Sequence, residues 1–197
     1  MSDPSASEAP PLSLEAISAQ YERLLRAQLA RRAGEDGIAT AALAQARALA
    51  AQSGVRQLQL HIALEAARAG EPDRLGEDGP TLDEATARLG HAGLRLAWLE
   101  WRMREALAGA EPAPSEALAA WREASALLRE GDYARAHRLQ ALAARALAAS
   151  GDKAAADAAG ARAERSFQAM RDALPVALRA GFEDRDASAI ATLEPSQ

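Results

Sequence analysis

A repeat constrains this chain more than any other feature. Shifting the sequence by 39 residues lays Gly54-Val55-Arg56 on Gly93-Leu94-Arg95 and Ala69-Gly70 on Ala108-Gly109, with Glu71-Pro72 and Glu111-Pro112 close by. A second shift of 39 lays Asp132-Tyr133 on Gly93-Leu94, and the matching turn arrives slightly late, at Ser150-Gly151-Asp152. The unit, residues 93–132, reads as a helix, a Gly/Pro turn, a second helix and another turn. A period of about 34–45 residues with two helices per unit is the signature of an α-solenoid. One hairpin alone would leave an apolar face wet, and stacking buries it.

Composition points the same way. Alanine fills 54 of the 197 positions, aromatics only 4%. Alanine has the highest helix propensity and lets helix axes approach closely. β-branched residues are scarce and no window alternates with a strand period, so no sheet is expected. The expected fold is all-α: a right-handed α-solenoid of about four helical hairpins with a short C-terminal capping helix.

In sequence order, residues 1–11 read as a disordered Ser/Ala/Pro-rich tail. The repeat domain is expected over 12–183 and a frayed tail over 184–197. The first helix starts near Leu12 or Ser13, carries the apolar stripe Leu14, Ile17, Tyr21, Leu24, Leu25 and Leu29, and stops at Arg31-Arg32-Ala33-Gly34. Further helices are expected over about 38–52, 55–69, 81–90, 94–108, 115–129, 133–149 and 153–173, with a short ninth from Val176 to Phe182. Thr81 and Glu84 form a capping-box pattern, and Ser115 is an N-cap candidate. The interruption 70–80, with three Gly, two Pro and four acidic residues, is an insertion into a turn.

The run Gly131-Asp132-Tyr133, with Ala136 three positions after Tyr133, resembles the turn of a tetratricopeptide repeat. From Tyr133 to Phe182, ending in Leu174-Pro175, Arg179 and Phe182, the sequence resembles the C-terminal tetratricopeptide-like segment of large bacterial regulators. Over Val55 to Arg129 the likeness is weaker. Within these 197 residues no catalytic or DNA-binding domain of those regulators is expected. The resemblance implies a protein–protein scaffold in a bacterial setting, with no catalytic residues to carry over.

If the odd-numbered helices are equivalent, side chains 39 apart stack in columns: Gln59, Trp98, His137; Arg56, Arg95, Ala134; Ala63, Arg102, Ala141. These positions share a helical face opposite a Leu58/Ile62 and Ala97/Trp101 core stripe; in the tetratricopeptide fold the first helix of each unit lines the concave groove, so the resemblance implies a groove strip of Arg56, Gln59, Arg95, Trp98, Arg102 and His137. Arginine forks bind carboxylates bidentately and tryptophan supplies low-entropy contact area. That strip suits an acidic peptide segment or the C-terminus of another protein. The competing reading puts Trp98 in the core and pairs the arginines with acids such as Glu100 or Glu105. Trp101, Trp121, Tyr21 and Phe167 read as core.

Other chemistries have little support. The net charge of −5 disfavours a nucleic-acid binder. No cysteine is present, and His61 with Glu65 supplies too few ligands for zinc. No metal or other cofactor is expected. P-loop, dinucleotide and Gly-x-Ser-x-Gly patterns are missing, and the carboxylates, Glu100 and Glu105 included, read as solvated. The protein is not expected to be an enzyme. No apolar run approaches the roughly 20 residues that span a bilayer, and residues 1–11 lack signal-peptide character, so a cytoplasmic location is expected. The leading functional reading is an adaptor that binds a partner protein through the concave face. The alternatives are a homo-oligomer pairing through Leu12, Leu14 and Ile17 or Val176 and Phe182, and a helical ligand sensor or enzyme.

Overall fold

The computed structural model describes residues 14–75 and 79–179, with side chains from residue 17 onward. Among these residues the protein is all-helical, without a strand: α1 (Leu14–Arg32), α2 (Asp36–Ser53), α3 (Arg56–Arg68), α4 (Leu82–Leu89), α5 (Ala92–Ala108), α6 (Pro114–Leu127), α7 (Tyr133–Ala149) and α8 (Lys153–Ala173). Residues 176–179 begin a further helical turn. The tails expected at 1–11 and 184–197, and the rest of the expected ninth helix, lie outside the described residues.

Local chemistry explains the ends. Glu84 N–H donates to Thr81 Oγ1 and Thr81 N–H to Glu84 Oε2, each at 3.3 Å, so the capping box forms as its sequence predicts. α6 starts at Pro114 instead of Ser115 or later, because proline's fixed φ suits the first helical position and costs no needed donor. α5 starts two residues earlier than its apolar pattern suggests, because His91 Nδ1 accepts from Leu94 N–H at 3.2 Å and caps the helix. Gly54 ends α2 with φ 66°, a left-handed conformation that favours glycine. α8 stops ahead of Pro175.

The protein divides at Leu94/Arg95, in the first turn of α5, into two compact units. In the first unit α1 packs on α2, α3 on α4, and α3 also contacts both α1 and α2. Its core joins Leu24 and Ala27 of α1, Ala42, Leu43, Ala46 and Ala50 of α2, and Leu58 and Ile62 of α3. In the second unit Leu96, Leu99, Met103 and Leu107 of α5 pack with alanines of α6 and with Leu139, Leu142, Ala143 and Ala146 of α7. α7 and α8 form a close pair whose buried α8 residues are Ala156, Ala159 and Ala163. The same local arrangement thus occurs within each unit: the first helix of one hairpin rests on both helices of the hairpin before it.

Two expectations are corrected here. Tyr21, Leu25 and Leu29 do not face the core but are 41%, 56% and 64% exposed. α1 meets its neighbours instead through Gln20, Leu24, Ala27 and Ala30, with the Gln20 amide donating to Leu49 O at 3.1 Å. Small residues let α1 and α2 approach closely, so the large side chains are turned outward. In α5 the inward residues are not Ala97 and Trp101, which stay partly exposed, but Leu96, Leu99 and Met103 together with Trp98.

Candidate functional site

The six residues of the expected strip fall in both units: Arg56 and Gln59 in the first, Arg95, Trp98, Arg102 and His137 in the second. Three of the latter are buried. Trp98 is 2% exposed and lies against Trp101, ring centroids 4.7 Å apart. Arg95 grips Glu123 bidentately, Nε to Oε1 at 2.6 Å and Nη2 to Oε2 at 2.8 Å, joining α5 to α6. His137 Nδ1 donates to Ala163 O at 3.0 Å and its ring meets Phe167, joining α7 to α8. Arg102 is partly buried. Trp98, Arg95 and His137 therefore serve packing, which corrects their assignment to an open groove. The physical reason is that α5 is apolar around most of its circumference, and such a helix is buried on more than one side.

Arg56 and Gln59 have a different setting. They line a pocket of about 250 Å³ between the end of α2 (Arg47, Ala50, Ala51), the start of α3 (with Ile62 and Ala63) and Arg74-Leu75 of the following connection. Three of its lining residues, Ala50, Ala51 and Ala63, are alanines, whose short side chains leave space open. Gln59 spans the floor, its Nε2 donating to Ala50 O, an end carbonyl of α2, at 3.1 Å. The residue 39 positions after Gln59 is Trp98, and the residues matching Ile62 and Ala63 are Trp101 and Arg102. Each of these three positions thus has a bulkier residue 39 positions later.

Three guanidinium groups line this pocket. Arg47 Nη2 donates to Glu71 Oε2 at 2.7 Å, in a pair 52% and 36% exposed. Such exposed pairs are weak and exchangeable. Arg56 and Arg74 have no carboxylate partner among the described residues. The acid 39 positions before Glu123, the partner of Arg95, is Glu84, and its carboxylate caps α4 instead. The site thus presents positive charge in a small, partly apolar recess on a protein of net charge −5.

Sequence reasoning also missed two buried carboxylates. Glu65 on α3 is 4% exposed and is held by Arg31 of α1 at 2.9 Å and by Arg68 of its own helix. Glu100 on α5 is 6% exposed and is held by Arg104 at 2.6 Å and by Arg138 of α7 at 2.9 Å. Glu100 is therefore not solvated. Each carboxylate ties the first helices of two consecutive hairpins. The available signal was an acid inside an apolar run with arginine one turn later, as in Leu64-Glu65 with Arg68 and Leu99-Glu100 with Arg104. His61, one turn before Glu65, has its pKa lowered below 6.5, first by burial and then by nearby His91.

Among the described residues no group of three His, Asp or Glu side chains is gathered closely enough to hold a metal ion, and no helix is long and apolar enough to cross a membrane. No protein-family model, no curated protein and no solved structure matches the sequence.

Proposed function

We propose that this protein is a tetratricopeptide-like α-solenoid adaptor that binds an acidic segment of a partner protein, a side-chain or terminal carboxylate entering the Arg47/Arg56/Arg74 pocket. The observation that carries this reading is the pair of guanidinium groups, Arg56 and Arg74, lining one alanine-walled recess without a carboxylate partner among the described residues. A recess of about 250 Å³ lies just below the usual range for a drug-sized ligand and suits one carboxylate-bearing side chain. Arginine forks meet carboxylates with paired charge-assisted hydrogen bonds. A preformed pocket loses little entropy on binding. The right-handed superhelix, the bacterial cytoplasmic setting and a non-catalytic role belong to the same proposal.

The test is fluorescence anisotropy with labelled acidic peptides, free and amidated at the C-terminus, and with lysine-substituted controls. The acidic peptides should bind with micromolar affinity, and Arg56→Glu/Arg74→Glu should weaken them by at least about ten-fold, or ~1.4 kcal/mol. Ala51→Trp, at an exposed wall position, should block the recess without changing any charge. Arg95→Glu is a poor probe, since it sets a carboxylate against Glu123 inside the fold. Acidic peptides that fail to bind, or that bind Arg56→Glu/Arg74→Glu as well as the wild type, overturn the proposal.

A further inference from the structure

The pocket of the first unit holds more guanidinium groups than a carboxylate uses. In the second unit the fork of Arg95 takes both oxygens of Glu123, at 2.6 and 2.8 Å. The buried carboxylates are held by two arginines each, Glu65 by Arg31 and Arg68, Glu100 by Arg104 and Arg138. The pocket of about 250 Å³ brings three to one recess: Arg47 from α2, Arg56 from the start of α3 and Arg74 from the connection that follows. Three like charges around one recess repel one another until an anion neutralises them. Glu71 meets Arg47 at 2.7 Å, while Arg56 and Arg74 have no carboxylate partner among the described residues.

A phosphate monoester on serine or threonine carries about two negative charges and three terminal acceptor oxygens. Guanidinium forks meet pairs of those oxygens. Three arginines therefore match a phosphate in number and in charge, where a carboxylate leaves one of them over. A phosphoserine side chain is about as long as that of glutamate, so a recess that admits one admits the other. Ala50, Ala51, Ile62, Ala63 and Leu75 line the same recess and suit the methylene or methyl group behind the phosphate. All three arginines are exposed. The site can thus grip one group that projects from a protein surface, whereas a small-molecule site encloses most of its ligand. One recess on a protein of net charge −5 also does not suit the repeated phosphates of a nucleic acid. The exposed Arg47–Glu71 pair is weak, so a dianion displaces Glu71.

We infer that the Arg47/Arg56/Arg74 recess is a phosphate-monoester site, and that the acidic partner segment it binds carries a phosphorylated serine or threonine. The inference rests on the reading of this recess as a partner-binding pocket. It makes phosphorylation of the partner the event that controls binding, as in other arginine clusters that recognise phosphorylated motifs.

The probes are fluorescein-labelled, C-terminally amidated peptides Gly-Ala-Glu-X-Glu-Ala-Gly, with X phosphoserine, glutamate or serine, titrated with the full-length protein and read by anisotropy. The phosphoserine peptide should bind at least about ten-fold tighter than the glutamate peptide, and the serine peptide most weakly. Arg47→Gln, at an exposed position, should keep its helical circular-dichroism signal and bring the phosphoserine and glutamate peptides within about three-fold of each other. Inorganic phosphate and free phosphoserine should displace the phosphoserine peptide only in large excess. Displacement by either at the concentration of the peptide itself overturns the assignment to a partner protein. A phosphoserine peptide that binds no tighter than the glutamate peptide overturns the inference and leaves the carboxylate reading standing on the glutamate peptide. If neither peptide binds, both readings fall. An advantage that survives Arg47→Gln places the phosphate outside this recess and also overturns the inference.

Discussion

Removing Glu100 should cost less than removing the arginines that hold it. The Glu100 side chain is 8% exposed, whereas those of Arg104 and Arg138 are both 44% exposed. In Glu100→Gln the arginines can turn toward water, and the amide oxygen still accepts a hydrogen bond. The loss is that of charge assistance in two bonds, about 1–2 kcal/mol. In Arg104→Gln/Arg138→Gln the carboxylate stays buried without a counter-charge, and stranding a buried charge costs about 3–5 kcal/mol. Trp98, Trp101 and Trp121 are the protein's three tryptophans and all lie in the second unit. Urea unfolding followed by tryptophan fluorescence therefore reports the unit that contains Glu100. With the slope of the transition unchanged, midpoints convert directly into stability differences. Equal losses in the two variants, or a larger loss in Glu100→Gln, would refute the view that the buried partner sets the energy.

Three further outcomes rest on particular contacts. The lowered pKa of His61 means that below pH 6.5 the unfolded protein binds protons the folded one resists, so stability falls on acidification and is unaffected by this group above that range. His61→Gln should flatten part of that acid-side slope in unfolding experiments between neutral and mildly acidic pH, and a variant as acid-sensitive as the wild type would sink the assignment. Thr81→Ala should cost about 1 kcal/mol and speed amide exchange in the eight-residue helix α4; unchanged exchange over 82–89 would show that tertiary packing alone holds it. Glu71→Gln releases Arg47 from its exposed pair and should tighten acidic-peptide binding up to about five-fold, since such pairs are worth up to ~1 kcal/mol; weaker binding would mean that Arg47 does not take part.

What the sequence disclosed and what it hid divide along a physical line. Helix ends rest on local signals, and Thr81-Glu84, Gly54, Pro175 and the 39-residue spacing made them legible to within a few residues. Helix orientation rests on which face a neighbour covers, and in an alanine-rich protein that choice is nearly invisible to a pattern that counts large apolar groups. α1 buries alanines and turns Leu25 and Leu29 outward. α5 is covered around most of its circumference, so Trp98 and Arg95, read from spacing as groove residues, are enclosed with partners of their own. Arg56 and Gln59 instead line an open recess, which Ala50, Ala51 and Ala63 leave unfilled. Side-chain volume thus decides whether a position on these helices becomes core or recess. Glu65 and Glu100 illustrate the reverse case, acids that spacing alone assigns to water and that two arginines each draw into the fold. An arginine one turn beyond an acid in an apolar run is thus the pattern to read as a buried pair, whereas Arg56, with Glu84 spent on a helix cap, lines the recess without a carboxylate partner among the described residues.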